Sequence, residues 1–172
     1  MKLFTSLFTF TLLLIFTGCS KASLNVYSSP TLIEKVQSIA LSPSSGILGD
    51  SIGIELLKYG FDIYDSQQLT SSIVSMNMNE IQILQPENLR KIKTKIGVDA
   101  ILLVKTINGY DNRPQSASIK LVSTSSGKIV AGASWQNGNA GQRGSMADSN
   151  FRSDMAEASN QIAAGLAKSL NQ

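Results

Sequence analysis

Histidine is absent from the 172 residues and cysteine occurs once. Without imidazole there is no Ser-His or Cys-His catalytic pair and little basis for a zinc site, and one thiol leaves no internal disulfide. Charge of either sign is sparse: 15 Lys and Arg face 12 Asp and Glu, for a formal +3. Lys2 is the only charged residue before Cys19, so the chain from Cys19 onward is less positive by one. That balance is too mild for a nucleic-acid partner. Nor is there an apolar run of bilayer length: Leu3 to Phe16 is interrupted by Thr5, Ser6, Thr9 and Thr11, and falls short of the ~20 residues a spanning helix needs.

What is present begins with that same stretch. A single positive charge followed by a short apolar run suits an export signal over residues 1–18. Phe16-Thr17-Gly18-Cys19 closes it and resembles the bacterial lipobox, in which small residues precede a cysteine that is acylated and becomes the first residue after cleavage. Thr17, Gly18 and Cys19 fit the pattern, while Phe16 departs from its usual Leu. The resemblance implies diacylglycerol and palmitate-type acylation at Cys19, and the absence of Asp after it, where Ser20 stands, resembles an outer-membrane address. Acyl chains hold a protein at a bilayer by burying methylenes at about 0.8 kcal/mol each, and two or three make the attachment lasting. Residues 20–34 show little periodicity and read as a short tether, so the expected division is signal 1–18, lipidated Cys19 and tether 19–34, and one domain over 35–172.

The domain follows from hydrophobic period and turn chemistry. Val36 to Leu41 reads as a strand ending in the turn formers Ser42-Pro43-Ser44-Ser45-Gly46. Leu48, Ile52, Leu56 and Leu57 recur at helical spacing ahead of Gly60. Phe61 to Tyr64 alternates as a strand, and Asp65 or Ser66 can cap a helix carrying Leu69, Ile73 and Met76. Glu80 to Leu84 is a brief strand or helical extension. Pro86 opens a helix with Leu89, Ile92 and Ile96, stopped by Gly97. Asp99 to Ile107 is apolar enough for a central strand covered on both faces. Ala117, Ile119 and Leu121, then Ile129, Ala131, Ala133 and Trp135, mark a hairpin with one buried face. Asn137 to Gly144 reads as a flexible loop, followed by one long helix with a stripe from Phe151 through Met155, Ala158, Ile162, Leu166 and Leu170, with Ser145 placed to cap it. The fold class is α/β (α+β): a single mixed β-sheet with flanking helices, in the order β-α-β-α-α-β-β-β-α.

Four segments in this order, VQSIAL, YGFDIYDSQQL, LRKIKTKIGVDAILLVKTI and SIKLVSTSSGKIVAGASW, resemble the superfamily of curli-secretion-channel lipoproteins, penicillin-binding-protein-activator lipoproteins and the N-terminal domain of the Tol translocation protein. Asp65 fits that family's aspartate, and Ser66 stands where the family often has Arg. The resemblance covers roughly residues 35–170 and rests on turns and strand patterns. It implies an envelope protein of secretion, flagellar or wall-associated machinery facing the periplasm. A membrane pore needs extra hairpins with strands of about 9–11 residues, which this chain does not have to spare.

No reactive constellation stands out. Gly46 to Ser51 lies where a phosphate loop would, but lacks its Lys and glycine spacing. Gly138, Gly141 and Gly144 have the wrong first interval for a dinucleotide fingerprint. Asp62 and Asp65 are three apart on a strand and do not converge, and Trp135 reads as hairpin core. Arg90, Lys91, Lys93 and Lys95 form a basic cluster, either a solvated face or a contact for an acidic partner or lipid headgroups. The expected protein is not an enzyme and uses no metal or cofactor. It is an outer-membrane lipoprotein bound to the membrane through acyl chains, with an envelope protein partner or a homo-oligomer as its assembly. The alternative is a lipoprotein that binds a small ligand or peptidoglycan fragment, with Asn137 to Gly144 in its site.

Overall fold

The computed structural model describes residues 19–29 and 35–171; the expected export signal, with Phe16, Thr17 and Gly18 of the expected lipobox, lies outside them. One six-stranded mixed sheet organises the domain, from strands β2 (Ser23–Ser28), β3 (Ser38–Leu41), β4 (Asp62–Tyr64), β5 (Ala100–Asn108), β6 (Pro114–Ser123) and β7 (Ile129–Gln136). Their order is β2-β7-β6-β5-β3-β4, with β3 parallel to both β4 and β5 and the remaining pairs antiparallel. A separate two-stranded pair joins β1 (Cys19–Ser20) to β8 (Asn139–Ala140).

One face of the sheet carries helices α1 (Gly46–Leu57) and α5 (Met155–Leu170). Leu48, Ile52 and Leu56 of α1 and Ala158, Ile162 and Leu166 of α5 recur at four-residue steps, so each helix turns one stripe onto Leu102, Ile119, Ala133 and their neighbours. Leu57, expected on that stripe, is exposed. Trp135 is completely buried there, and its indole N–H donates to Gln161 Oε1 at 2.8 Å. The other face carries α2 (Ser66–Ser75) and α3 (Pro86–Ile96), packed through Leu69, Ile73, Leu89 and Ile92 onto Ala40, Ile101 and Val122.

Local signals fix these helices where the sequence placed them. Asp65 accepts from Gln68 N at 2.7 Å while Gln68 Oε1 accepts from Asp65 N, a reciprocal cap. Pro86 opens α3, and Gly97 closes it at φ 76°, a left-handed conformation open to glycine at little cost. Two residues on, Asp99 Oδ2 accepts from Gln37 N, Ser38 N and Ser38 Oγ, each at 3.0 Å, stitching the start of β5 to the start of β3. Burial of the Asp99 carboxylate is outweighed by those donors and by Lys93, which together hold its pKa below the usual aspartate value.

Five expectations need correction. The stretch expected as a tether contains β2, an edge strand in which Leu24 and Val26 turn inward beneath α5 and Asn25 and Tyr27 turn outward. The approach is close: a Cβ on Gly165 of α5 would lie 2.6 Å from Leu24 Cδ2 and 2.8 Å from Val26 Cγ2. In the hairpin the register shifts, with Leu121 facing Ala131 and Val122 facing Ile129, so Val130 is the extra residue. Ile129 is therefore exposed and Val130 joins the core in its place. The central strand is covered on both faces only as far as Val104; Lys105, Ile107 and Asn108 are exposed. Of the two alternatives for Glu80 to Leu84 the strand fails and the helical one holds, as a 3-10 turn at Gln82–Leu84 that buries Ile83.

The fifth correction concerns the terminal helix, which is two helices: α4 (Met146–Phe151) and α5. Ser145 caps α4, accepting from Asp148 N, and Asp154 caps α5, accepting from Glu157 N. Between them Arg152 is extended because its side chain is drawn to Asp111 and Gln115 and the main chain of Ser153 is taken by Asn137. Phe151 thus falls outside the buried stripe and is exposed.

Candidate functional site

The geometry of the sheet separates two ends. At one end β7 runs out at Gln136, β2 begins opposite it at Ser23, and Cys19 pairs with Ala140 just beyond. At the other end lies the β6–β7 turn. There Lys93 Nζ donates to Ser125 Oγ at 2.6 Å, and a Cβ on Gly127 would touch Pro86 and Leu89, so α3 crosses this far end. The eight residues of β7 span about 25 Å between the two.

The basic cluster of α3 therefore lies away from Cys19, and its four members have different roles. Lys93, though exposed, is engaged by its own chain, 3.5 Å from Asp99 Oδ1 and bonded to Ser125. Arg90, Lys91 and Lys95 line an open groove of about 650 Å3 together with Thr94, Met76 and Met78. Lys91 Nζ donates to Asn88 Oδ1 at 3.3 Å. Half-buried methionines on the floor and cations on the rim suit an amphipathic, acidic surface, since thioether side chains adapt to irregular contacts. Met76, expected on the stripe of α2, stands at the end of that helix, and Met78 escaped the sequence reading because it falls after the periodic stripe ends.

The Cys19 end is built around a polar network that sequence reasoning missed. Asn137, buried, uses both ends of its amide: Nδ2 donates to the carbonyls of Pro114 (2.6 Å) and Ser153 (2.9 Å), and Oδ1 accepts from Gly138 N and Ser153 N. Arg152, also buried, donates through Nε and Nη2 to both oxygens of Asp111 at 2.9 and 3.0 Å, and through Nη1 to Gln115 at 2.6 Å. Asp148 accepts from Gly144 N at 3.0 Å and the Tyr110 hydroxyl at 2.7 Å. The guanidinium groups of Arg143 and Arg152 stand 4.9 and 5.3 Å from the centre of the Tyr110 ring.

These contacts set the charges. The amide of Gly144 and the Tyr110 hydroxyl hold Asp148 below the usual carboxylate range, and the same bond raises the pKa of Tyr110. Burial of Asp111 is outweighed by Arg152, so its pKa is also lowered. Both carboxylates of the network are committed to donors, an arrangement that braces the fold. Asn137 to Gly144, expected as a flexible loop, is consequently tied down, and none of its residues lines the groove beside Arg90. Asp65 is occupied as a helix cap, and Gly46 to Ser51 forms the first turns of α1. Among the described residues no three His, Cys, Asp or Glu side chains cluster as metal ligands, and no helix is long and apolar enough to cross a membrane.

No protein-family description matches the sequence, and no curated protein matches it. Solved structures do share its general course. A PelC dodecamer from Paraburkholderia phytofirmans carrying a point substitution is 14% identical over 87% of this chain and 97% of its own, with a TM-score of 0.46. Another crystal form of that PelC dodecamer is 16% identical, covers 83% and 98%, and has a TM-score of 0.43. Lipoprotein GNA1162 from Neisseria meningitidis is 18% identical over 63% of this chain and 84% of its own, at a TM-score of 0.48.

Proposed function

We propose that this chain is a non-catalytic interaction module of the cell envelope, attached to the outer membrane through acyl chains on Cys19 and presenting its basic groove to an acidic protein partner. The observation that carries the reading is the separation of Cys19 from the groove by the length of the sheet. A cation cluster meant for the headgroups of its own membrane would lie beside the anchor; this one lies about 25 Å from it, well beyond a Debye length of ~8 Å. An acidic partner above the bilayer suits that position better. The pattern resemblance to the curli-secretion-channel superfamily supports an envelope setting and leaves the machine unnamed.

Two variants test the parts separately. Cys19→Ala should move the protein from the membrane fraction to the soluble fraction without changing its circular dichroism; retention in the membrane sinks the anchoring. Arg90→Glu combined with Lys95→Glu should abolish recovery of the envelope partner in cross-linking of intact cells while leaving membrane retention intact. Unchanged cross-links would remove the groove from the reading.

A further inference from the structure

Strand β5 is nine residues long and its parallel neighbour β3 only four, so β5 overhangs. Pairing with β3 ends at Leu41, opposite Leu102. The next main-chain groups on that side are met by other means: the Leu102 carbonyl accepts from Ser42 N and Ser45 Oγ, and Val104 N donates to Ser45 Oγ at 3.1 Å. Main-chain groups in a strand alternate sides. Leu102 and Val104 point toward β3, so Thr106 points the same way, past the last residue able to answer it.

The overhang borders a cleft of about 1030 Å3 between the sheet and the start of α1, floored by Val104, Ala117 and Trp135 and walled by Leu48 and Met155. Thr106 lies on this floor, and its hydroxyl is buried with no hydrogen-bond partner. A buried hydroxyl without a partner is costly, so a polar group brought to this floor would be favoured there. Ile107 and Ile47 stand exposed at the rim. Lys105 projects from the opposite face of β5, exposed and outside every ion pair among the described residues.

We propose that the β5 overhang is a docking edge for an extended segment of a partner polypeptide, one that alternates apolar and acidic residues. What complements an open run of strand main chain is another strand. Alternate side chains of the incoming segment would enter the cleft beside Thr106 and Leu48, and the intervening ones would meet Lys105 on the other face, where an acidic group is complementary. The edge is distinct from the basic groove and needs no acyl chain, so it stands or falls apart from the anchored-module reading.

The test uses the full chain in detergent solution and a fluorescein-labelled, end-capped octapeptide of alternating valine and glutamate. We expect saturable binding by anisotropy and slower hydrogen exchange at the Thr106 amide. N-methylation of the peptide's edge-facing amides should weaken binding about tenfold or more, because each lost main-chain bond is felt at about that level. Thr106→Pro should weaken it similarly. That N–H belongs to no bond of the β5–β6 ladder, and proline is tolerated at such an edge position. Equal binding of the N-methylated peptide overturns the proposal, and this arm does not depend on the variant folding. Slow exchange at Thr106 before any peptide is added also overturns it, since a second copy of the chain would then cover the edge. So does binding that leaves Thr106 exchange unchanged.

Discussion

Asn137 shows how one polar side chain can replace a stretch of secondary structure. Its four hydrogen bonds join the start of β6, the end of β7 and the approach to α5. We expect Asn137→Ala to cost roughly 2–3 kcal/mol in urea unfolding, the penalty of leaving buried main-chain groups unmet. Asp111→Asn should cost about 3 kcal/mol by leaving Arg152 buried without its counter-charge. Asp111 and Asp148 both have lowered pKa values in the fold, so their contributions are complete above the ordinary aspartate pKa of about 4 and disappear as pH falls through the lower folded values. Unfolding midpoints followed from pH 7 to about 2 should therefore drop on the acid side, and drop less steeply in Asp111→Asn. None of this network was legible in the sequence. Arg152 stands 41 residues from Asp111 and 37 from Gln115 along the chain, and nothing in residue spacing announces a contact closed by folding.

At the scale of elements, the sequence was read well where a segment carries its own signal. Pro86 and Gly97 bound α3, Asp65 caps α2, and the apolar run of β5 is the middle of the sheet. It was read poorly where the decisive partner is distant. Residues 23–28 looked like a tether because six residues between polar neighbours are weak evidence, although Leu24 and Val26 already alternate with Asn25 and Tyr27. What makes them a strand is β7 on one side and the bare backbone of Gly165 above. Gly165→Leu should force α5 off β2, and limited proteolysis should then cleave near residues 22–29 well before the core opens. The hairpin bulge is the same lesson on a smaller scale: the alternation was correct from Ala117 to Leu121 and again from Ala131 to Trp135, but one extra residue reversed which of Ile129 and Val130 is buried.

At the scale of the whole molecule, the basic cluster was visible in the sequence as charge and its direction was not. Only the fold shows that Lys93 is spent on Asp99 and Ser125, and that Arg90, Lys91 and Lys95 share a groove with Met76 and Met78. Since those three cations are exposed, Lys95→Glu should change the unfolding midpoint by no more than about 0.5 kcal/mol while reducing partner capture. A matching loss of stability and capture would instead point to a structural role.

The pairing of β1 with β8 has a mechanical consequence. With fatty acids on Cys19, the ladder to Ala140 starts at the acylated residue itself, so the domain has almost no leash. It would stand on the bilayer like a short post, unable to swing or extend, and would select only those companions whose acidic surface comes within a few nanometres of the membrane. Splicing a glycine-serine spacer between Ser20 and Lys21 should lengthen that reach without touching the groove, and a companion lost through the wrong height rather than the wrong chemistry would reveal itself by returning at one spacer length only.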